Sequence, residues 1–312
     1  MKVSIYGAGR VGVSVAFSLM HRGLIDEIVL IDVDKERAEG EALDLMHSSA
    51  MFKRCDVRAG SPEDIAESDF VVVTAGYSQK PGETRLDLLE GNLRIIKHIA
   101  HELKIYAKES IVINVTNPVD VLTYFIWKYT GFDSTKVIGS GTTLDTSRLR
   151  VLLSKSCNIS PNSIHAYVIG EHGDSEFVPF SLATIGGLRL EDYCRQCNVF
   201  QNTSGDICPN LQNIAEEVRN AAYKIIQKKG ATNLAIGSVV GSIIESMIKD
   251  EKRVWTPSVL YEDVYIGYPA VLSRNGVERI LKLNLAENEN ILFEKSLNTI
   301  RSAIIEMESR KI

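Results

Sequence analysis

The side chains equipped for chemistry gather in short runs separated by apolar stretches. Gly7-Ala8-Gly9-Arg10-Val11-Gly12 follows a β-branched run and opens a segment of helical period. Glycines at that spacing supply a tight turn, close backbone approach to a pyrophosphate and close helix packing, and the helix N-terminus then faces the phosphates. Asp32 closes the next apolar run about twenty residues after Gly12, where a carboxylate accepts both ribose hydroxyls. Its charge repels a 2′-phosphate and so favours NAD over NADP, although Arg37 is of the type that accommodates such a phosphate. The structural alternative is a glycine-rich turn with a helix-capping aspartate.

Gly170-Glu171-His172-Gly173-Asp174 sets a histidine between glycines directly after a predicted strand, so a loop and not a periodic pattern holds it. Of the other histidines, His21, His98 and His101 fall on predicted helices and His47 at a helix end, where surface positions are expected. In Leu144-Asp145-Thr146-Ser147-Arg148, the acid and the arginine stand three apart and share a helix face. Asp145 can orient an imidazole, and Arg148 can fork onto a carboxylate. Taken alone, the pair would equally suit an ion pair on a surface.

These groups need a scaffold, and the chain is long enough for two domains with their own cores: 312 residues, 45% of them apolar. The formal net charge is -5, with Lys and Arg scattered, so nucleic acid is not an expected partner. Nor is a membrane, because no apolar stretch approaches the roughly 18 to 20 residues of a spanning helix. The nearest, 234–248, carries Glu245, and its Gly237 and Gly241 fit close packing inside a core. Met1-Lys2 and the apolar residues after it mimic a signal peptide, but Gly7, Gly9, Arg10 and Gly12 interrupt it, so mature structure and a cytoplasmic location are expected. Cys55, Cys157, Cys194, Cys197 and Cys208 are an odd set that suits reduced thiols. Cys194 and Cys197 have metal or redox spacing without a second pair to complete a tetrahedral site, and no metal is expected.

Strands predicted at 2–6, 27–31, 56–59, 69–74, 110–114 and 136–138 alternate with helices at 11–21, 35–47, 86–107 and 119–129. That rhythm predicts an α/β fold whose residues 1–140 form a doubly wound parallel sheet. Beyond it, helices around 146–156, 211–228, 234–248 and from 287, a strand pair near 165–169 and β-rich turns over 254–280 predict a mixed α+β domain over 141–312. No linker separates the two, so they should pack intimately.

Nearly end to end, the chain resembles the lactate and malate dehydrogenase family. The motifs are Gly7-Ala8-Gly9, the loop from Gln79 to Arg85, Val115-Thr116-Asn117-Pro118-Val119-Asp120, Leu144 to Arg148 and Gly170 to Asp174. The resemblance implies an N-terminal Rossmann domain for NAD and a C-terminal catalytic domain. It implies that His172 protonates a ketone oxygen as hydride reaches the second carbon, and that Asp145 holds the histidine's tautomer. Arg148 would bind the substrate carboxylate, Arg85 on a closing loop would polarise the carbonyl, and Asn117 would contact substrate and nicotinamide ribose. Cofactor contacts map onto Gly7, Gly9, Val11, Gly12, Asp32, Arg37, Gly76, Tyr77, Val115, Asn117 and Ser140.

Gln79 matches a position that is typically glutamine in the family's lactate enzymes and arginine in its malate enzymes. Beside a neutral amide in a closed pocket, the second carboxylate of oxaloacetate would be a buried unpaired charge costing roughly several kcal/mol. Pyruvate is therefore the expected substrate. Thr232 resembles the residue that walls the side-chain pocket, but Asn233 and Leu234 stand where paired aromatics are usual and Phe180 where tryptophan is. A broader L-2-hydroxyacid dehydrogenase acting on bulkier oxo acids, a malate enzyme and a non-catalytic NAD-binding module are the alternatives. The intact set of His172, Asp145, Arg148 and Arg85 speaks against the last. In the bacterial branch of the family an arginine and a histidine from each of two subunits bind fructose 1,6-bisphosphate. Arg150 and His165 stand at the matching places, implying an activated homotetramer in which a bisphosphate relieves repulsion at a two-fold axis.

Overall fold

β-branched runs become the strands of a central sheet, and the amphipathic segments between them cover it. In chain order the first half is β1 (Lys2–Tyr6), α1 (Arg10–Arg22), β2 (Glu27–Ile31), α2 (Lys35–Ser48), β3 (Asp56–Ala59), β4 (Phe70–Val73), α3 (Arg85–Tyr106), β5 (Ile111–Asn114), α4 (Val119–Thr130) and β6 (Val137–Gly139). The computed structural model describes residues 1–77, 85–196 and 211–310. The expectations placed on Gln79, on the Arg85 side chain and on Cys197 and Cys208 lie outside the described residues. All four residues of β4 and of β5 are buried, as strands covered on both faces must be.

The second half runs α5 (Thr143–Cys157), β7 (Ile164–His165), β8 (Thr184–Ile185), β9 (Leu188–Arg189), α6 (Leu190–Gln196), α7 (Leu211–Lys229), α8 (Leu234–Ile248), β10 (Arg253–Trp255), β11 (Ser258–Tyr261), β12 (Val264–Gly267), β13 (Ala270–Ser273), β14 (Gly276–Ile280) and α9 (Glu287–Ser309). Among the described residues the large sheet has the order β12-β11-β6-β5-β4-β1-β2-β3. Its strands from β3 to β6 are parallel, and the β11–β12 hairpin joins antiparallel through Ser258 opposite Gly139. The chain winds outward from β1 to β3 and then returns to β4 on the other side of β1. That reversal opens a crevice at the carboxyl ends of β1 and β4, where such sheets bind ligands.

One apolar cluster runs from β1 and α1 through α4 to α8 and α9, so the two halves share a core. A second cluster, around Leu149, Leu153, Ile164, Val168 and Val218, supports α5 from its far side. A Cβ on Gly237 would press on the Ser14 backbone at 2.7 Å, so this small residue lets α8 lie close on α1. Helix α5 begins at Thr143, three residues before the expected start, because the chain turns at Gly141 and Thr142 caps the helix, its carbonyl accepting from Thr146 N–H at 2.9 Å. Asp145 therefore sits in the first turn, where the helix dipole favours an anion. The expected strand pair at 165–169 is the short β7 followed by a single bridge between Ile169 and Phe177.

At Gly12 the helix leans on the turn before it: a Cβ there would overlap the carbonyl oxygen of Gly7. Gly12→Ala should therefore lose about 1–3 kcal/mol of stability through overpacking and bind NADH more weakly. Urea unfolding and fluorescence titration read the two effects; an unchanged unfolding midpoint would show that the contact is not tight.

Candidate active site

β1 ends in Gly7, whose φ of +101° is open to glycine and strained for other residues. Its N–H donates to Ile31 O at 2.7 Å, tying the turn to β2. α1 starts after Gly9 with no side chain of the described residues capping it, which leaves first-turn N–H groups for an anion. Among the described residues, a Cβ on Gly9 would meet only Arg37 Nη2, at 3.7 Å. Asp32, at the end of β2, is oriented by the turn it serves: Oδ2 accepts from Ala8 N–H at 2.7 Å and Oδ1 from Asp34 N–H at 3.0 Å. Val11 lies in the first turn of α1, and Gly76, Tyr77, Val115 and Ser140 follow the carboxyl ends of β4, β5 and β6. The side chain of Asn92 on α3 bridges two of these loops, accepting from Tyr77 N–H at 3.1 Å and donating to Asn117 O at 2.9 Å. An open glycine turn, an uncapped helix start and an oriented carboxylate fit a dinucleotide.

The loop carrying His172 is pinned at its base and its crown. Gly170 (φ +103°) exchanges hydrogen bonds with Gly267 at 2.9 and 3.0 Å, and a Cβ on it would press on Ser296 Oγ. Glu171 N–H donates to Ser296 Oγ at 2.6 Å, and His172 N–H to Asp120 Oδ2 at 2.7 Å. Asp120 is buried on α4, just past Asn117, and takes a second bond from Ser258 Oγ at 2.6 Å. The histidine loop thus rests on the strand ends of the nucleotide crevice. From the other side, Thr142 Oγ1 donates to Val168 O at 2.6 Å and Val168 N–H donates to Thr146 Oγ1 at 2.9 Å, so α5 and the segment leading to His172 move as one.

Asp145 joins the parts. Its Oδ2 lies 2.6 Å from His172 Nδ1, and its Oδ1 accepts from Arg148 Nη1 at 2.7 Å. With 2% of its side chain exposed, the carboxyl would be pushed up by burial, but the charges and hydrogen bonds of His172 and Arg148 outweigh that and hold it below the usual range. For His172, burial would lower the pKa; Asp145, with Glu176 and Asp120 beyond it, overcomes burial and raises it to about 9. The ring is an imidazolium at neutral pH. Burial pushes Asp120 up to about 6 against the hydrogen bonds from Ser258 and His172, and Glu176 up to about 9 with help from the Asp145 charge. One ligand atom each of Asp145, His172 and Glu176 lie within 4.8 Å of one another, a spacing a metal could use. Both Asp145 oxygens are already engaged, one by a guanidinium, which disfavours a cation there.

Thr232 is half-buried ahead of α8, Leu234 is 67% exposed and Phe180 packs against the second core cluster. Asn233 bonds Ser14 Oγ and Lys229 Nζ, each at 2.9 Å, and so ties α7 to α1. His165 is exposed on β7. Arg150 donates to Ala166 O at 3.1 Å, lies over the Tyr167 ring and lines a cavity of about 400 Å³ that Arg253 also lines and, among the described residues, no acid does.

A carbonyl compound held between the crevice and His172 would have a nucleotide on one side and a proton donor on the other, which places the protein among dinucleotide-dependent dehydrogenases. Residues 1–139 match the model for the lactate/malate dehydrogenase NAD binding domain and residues 142–310 that for the family's alpha/beta C-terminal domain; the chain belongs to the lactate/malate dehydrogenase family. It is an NAD-dependent oxidoreductase with the expected Rossmann half. The L-lactate dehydrogenase of Fervidobacterium nodosum is 63% identical over 99% of both chains, and that of Pseudothermotoga lettingae 52% over 99% of this chain and 97% of its own. A crystal structure of a lactate dehydrogenase from a deep-sea metagenome superposes with a TM-score of 0.92 at 40% identity, covering 98% of each chain.

Sequence reasoning gave no role to Asn92, Asp120 or Glu176. Asp120 stood inside a quoted motif, and Glu176, an acid leading an apolar run four residues after His172, was the available signal.

Because the Asp145 carboxylate is what keeps the ring charged, Asp145→Asn should move the His172 titration from about 9 toward or below the ordinary histidine value of about 6.5. Nitrogen-detected NMR of the ring reads this directly, and an unmoved titration would assign the shift to other groups.

Proposed function

We propose that this chain is an L-lactate dehydrogenase, interconverting pyruvate and L-lactate with NADH and NAD. The observation that carries it is the Asp145 carboxylate shared between His172 and Arg148 at 2.6 and 2.7 Å. With Nδ1–H held by Asp145, the imidazolium keeps its transferable proton on Nε2 and delivers it to the ketone oxygen as that oxygen gains charge. Arg148, anchored through Nη1, turns the rest of its fork to the substrate carboxylate. Gly7, Gly9 and Gly12 would hold the phosphates of the dinucleotide and Asp32 its ribose, and NADH so held would supply the hydride. Arg85 polarises the carbonyl, Gln79 excludes a second carboxylate, and Asn117 and Thr232 line the substrate, as the resemblance to the family implies. Residues 1–140 form the NAD-binding domain, which also lends Gln79, Arg85 and Asn117 to the substrate, and 141–312 the catalytic domain with His172, Asp145 and Arg148. High identity to L-lactate dehydrogenases along the whole chain supports the choice of substrate.

The finer assignments are a homotetramer activated by fructose 1,6-bisphosphate at Arg150 and His165, and a cytoplasmic location. Arg150 and Arg253 facing one cavity without a lining acid among the described residues support an anion near Arg150. Among the described residues no helix is long and apolar enough to cross a membrane.

Steady-state kcat/KM for pyruvate, oxaloacetate and 2-oxoisocaproate tests the substrate. Pyruvate should lead, and Gln79→Arg should shift preference toward oxaloacetate by at least about tenfold, or about 1.4 kcal/mol. An oxaloacetate preference in the parent chain defeats the proposal. Separately, the bisphosphate should lower the pyruvate concentration at half-saturation in dilute enzyme at neutral pH, and Arg150→Gln should abolish that response; superimposable curves remove the regulatory site.

A further inference from the structure

Glu176 has no part in the function proposed above, yet its carboxyl is 5% exposed and its Oε2 lies 3.9 Å from His172 Nδ1. It approaches the same edge of the ring that Asp145 holds. Arg219 of α7 donates from Nη2 to the Glu176 backbone carbonyl at 3.1 Å, and Arg219 Nε is buried with no hydrogen-bond partner among the described residues. A buried acid so placed has the imidazole and the guanidiniums of Arg148 and Arg219 as its neighbouring sources of positive charge.

We propose that Glu176 is a second positioning carboxyl for His172 and that, with Asp145, it sets how tightly the ring holds its transferable proton. The inference rests on His172 acting as the acid in the reaction. Charge on the ring favours ionisation of Glu176, and ionised Glu176 favours charge on the ring, so the two titrate as a pair. Other groups act on the same pair. Asp145 and Arg148 face it from α5, Asp120 faces the ring's backbone N–H from α4, Arg219 approaches from α7, and Glu171 and Asp174 share the loop. Asp145 and Asp120 are fixed by strong partners, Arg148 and Ser258 among them. Glu176 stands beyond hydrogen-bonding distance of the ring, so it acts through its charge and leaves the tautomer to Asp145.

Glu176→Gln keeps the shape and removes the charge that Glu176 acquires in the alkaline range where the ring also titrates. In the ligand-free protein, the His172 ring should titrate about one pH unit lower, a tenfold loss of proton affinity. The alkaline fall in kcat/KM for pyruvate should move down by the same amount, and Glu176→Asp should recover at least part of both shifts. The ring titration needs no turnover, so a chain that fails to reduce pyruvate defeats the proposed function without deciding this point. If Glu176→Gln lowers rates equally at every pH and the ring titrates as in the parent, the carboxyl is only a packing group and the inference is wrong.

Discussion

A carboxylate withdrawn from water stays ionised only where donors and cations take up its charge, and Asp145 is withdrawn almost completely. Its two oxygens are taken by two different side chains, so neither His172 nor Arg148 can be repositioned without leaving a buried charge short of a partner. The surrounding framework serves that arrangement. Helix α5 starts early enough to put Asp145 in its first turn, Thr142 and Thr146 lock α5 to the strand segment before His172, and Asp120 holds the loop's crown.

That framework depends in turn on how the halves are joined. Gly170 bridges to Gly267 of β12, which belongs to the hairpin added at the edge of the parallel sheet. Ser258 of that hairpin pairs with Gly139 of β6 and also donates to Asp120. One short antiparallel extension therefore carries the register of the nucleotide sheet to the histidine loop. A shift of a hinge between the halves would have to break it.

Strands and helices of the first half were legible because apolar period and β-branching mark the faces they bury; β1, β2 and β3 lie over the expected residues. His172, Asp145 and Arg148 were legible through glycine placement and helical spacing. Asn92, Asp120 and Glu176 were not, since each has its effect through a partner distant in the chain or through a loop without period. Asn92 reaches Tyr77 and Asn117 across separate crossovers. Helix α5 starts earlier than the expected 146–156 because tertiary bonds from Thr142 and Thr146 to groups distant in the chain hold its first turn in place.

The charge count at the centre bears on the proposed substrate. One carboxylate, Asp145, faces one imidazolium and one guanidinium, so the triad carries an excess of positive charge at neutral pH. In the proposed function a monocarboxylate entering beside Arg148 would balance the charge of this triad, while Asp120, ionised beyond the ring, is answered by His172 N–H and Ser258 Oγ–H. A dicarboxylate would overshoot, leaving an anion to be paired by some further cation. In that proposal the centre and Gln79 would make the same demand on the ligand through different physics: the first through the charge of the triad, the second through the local partner that a neutral amide offers to a second carboxylate.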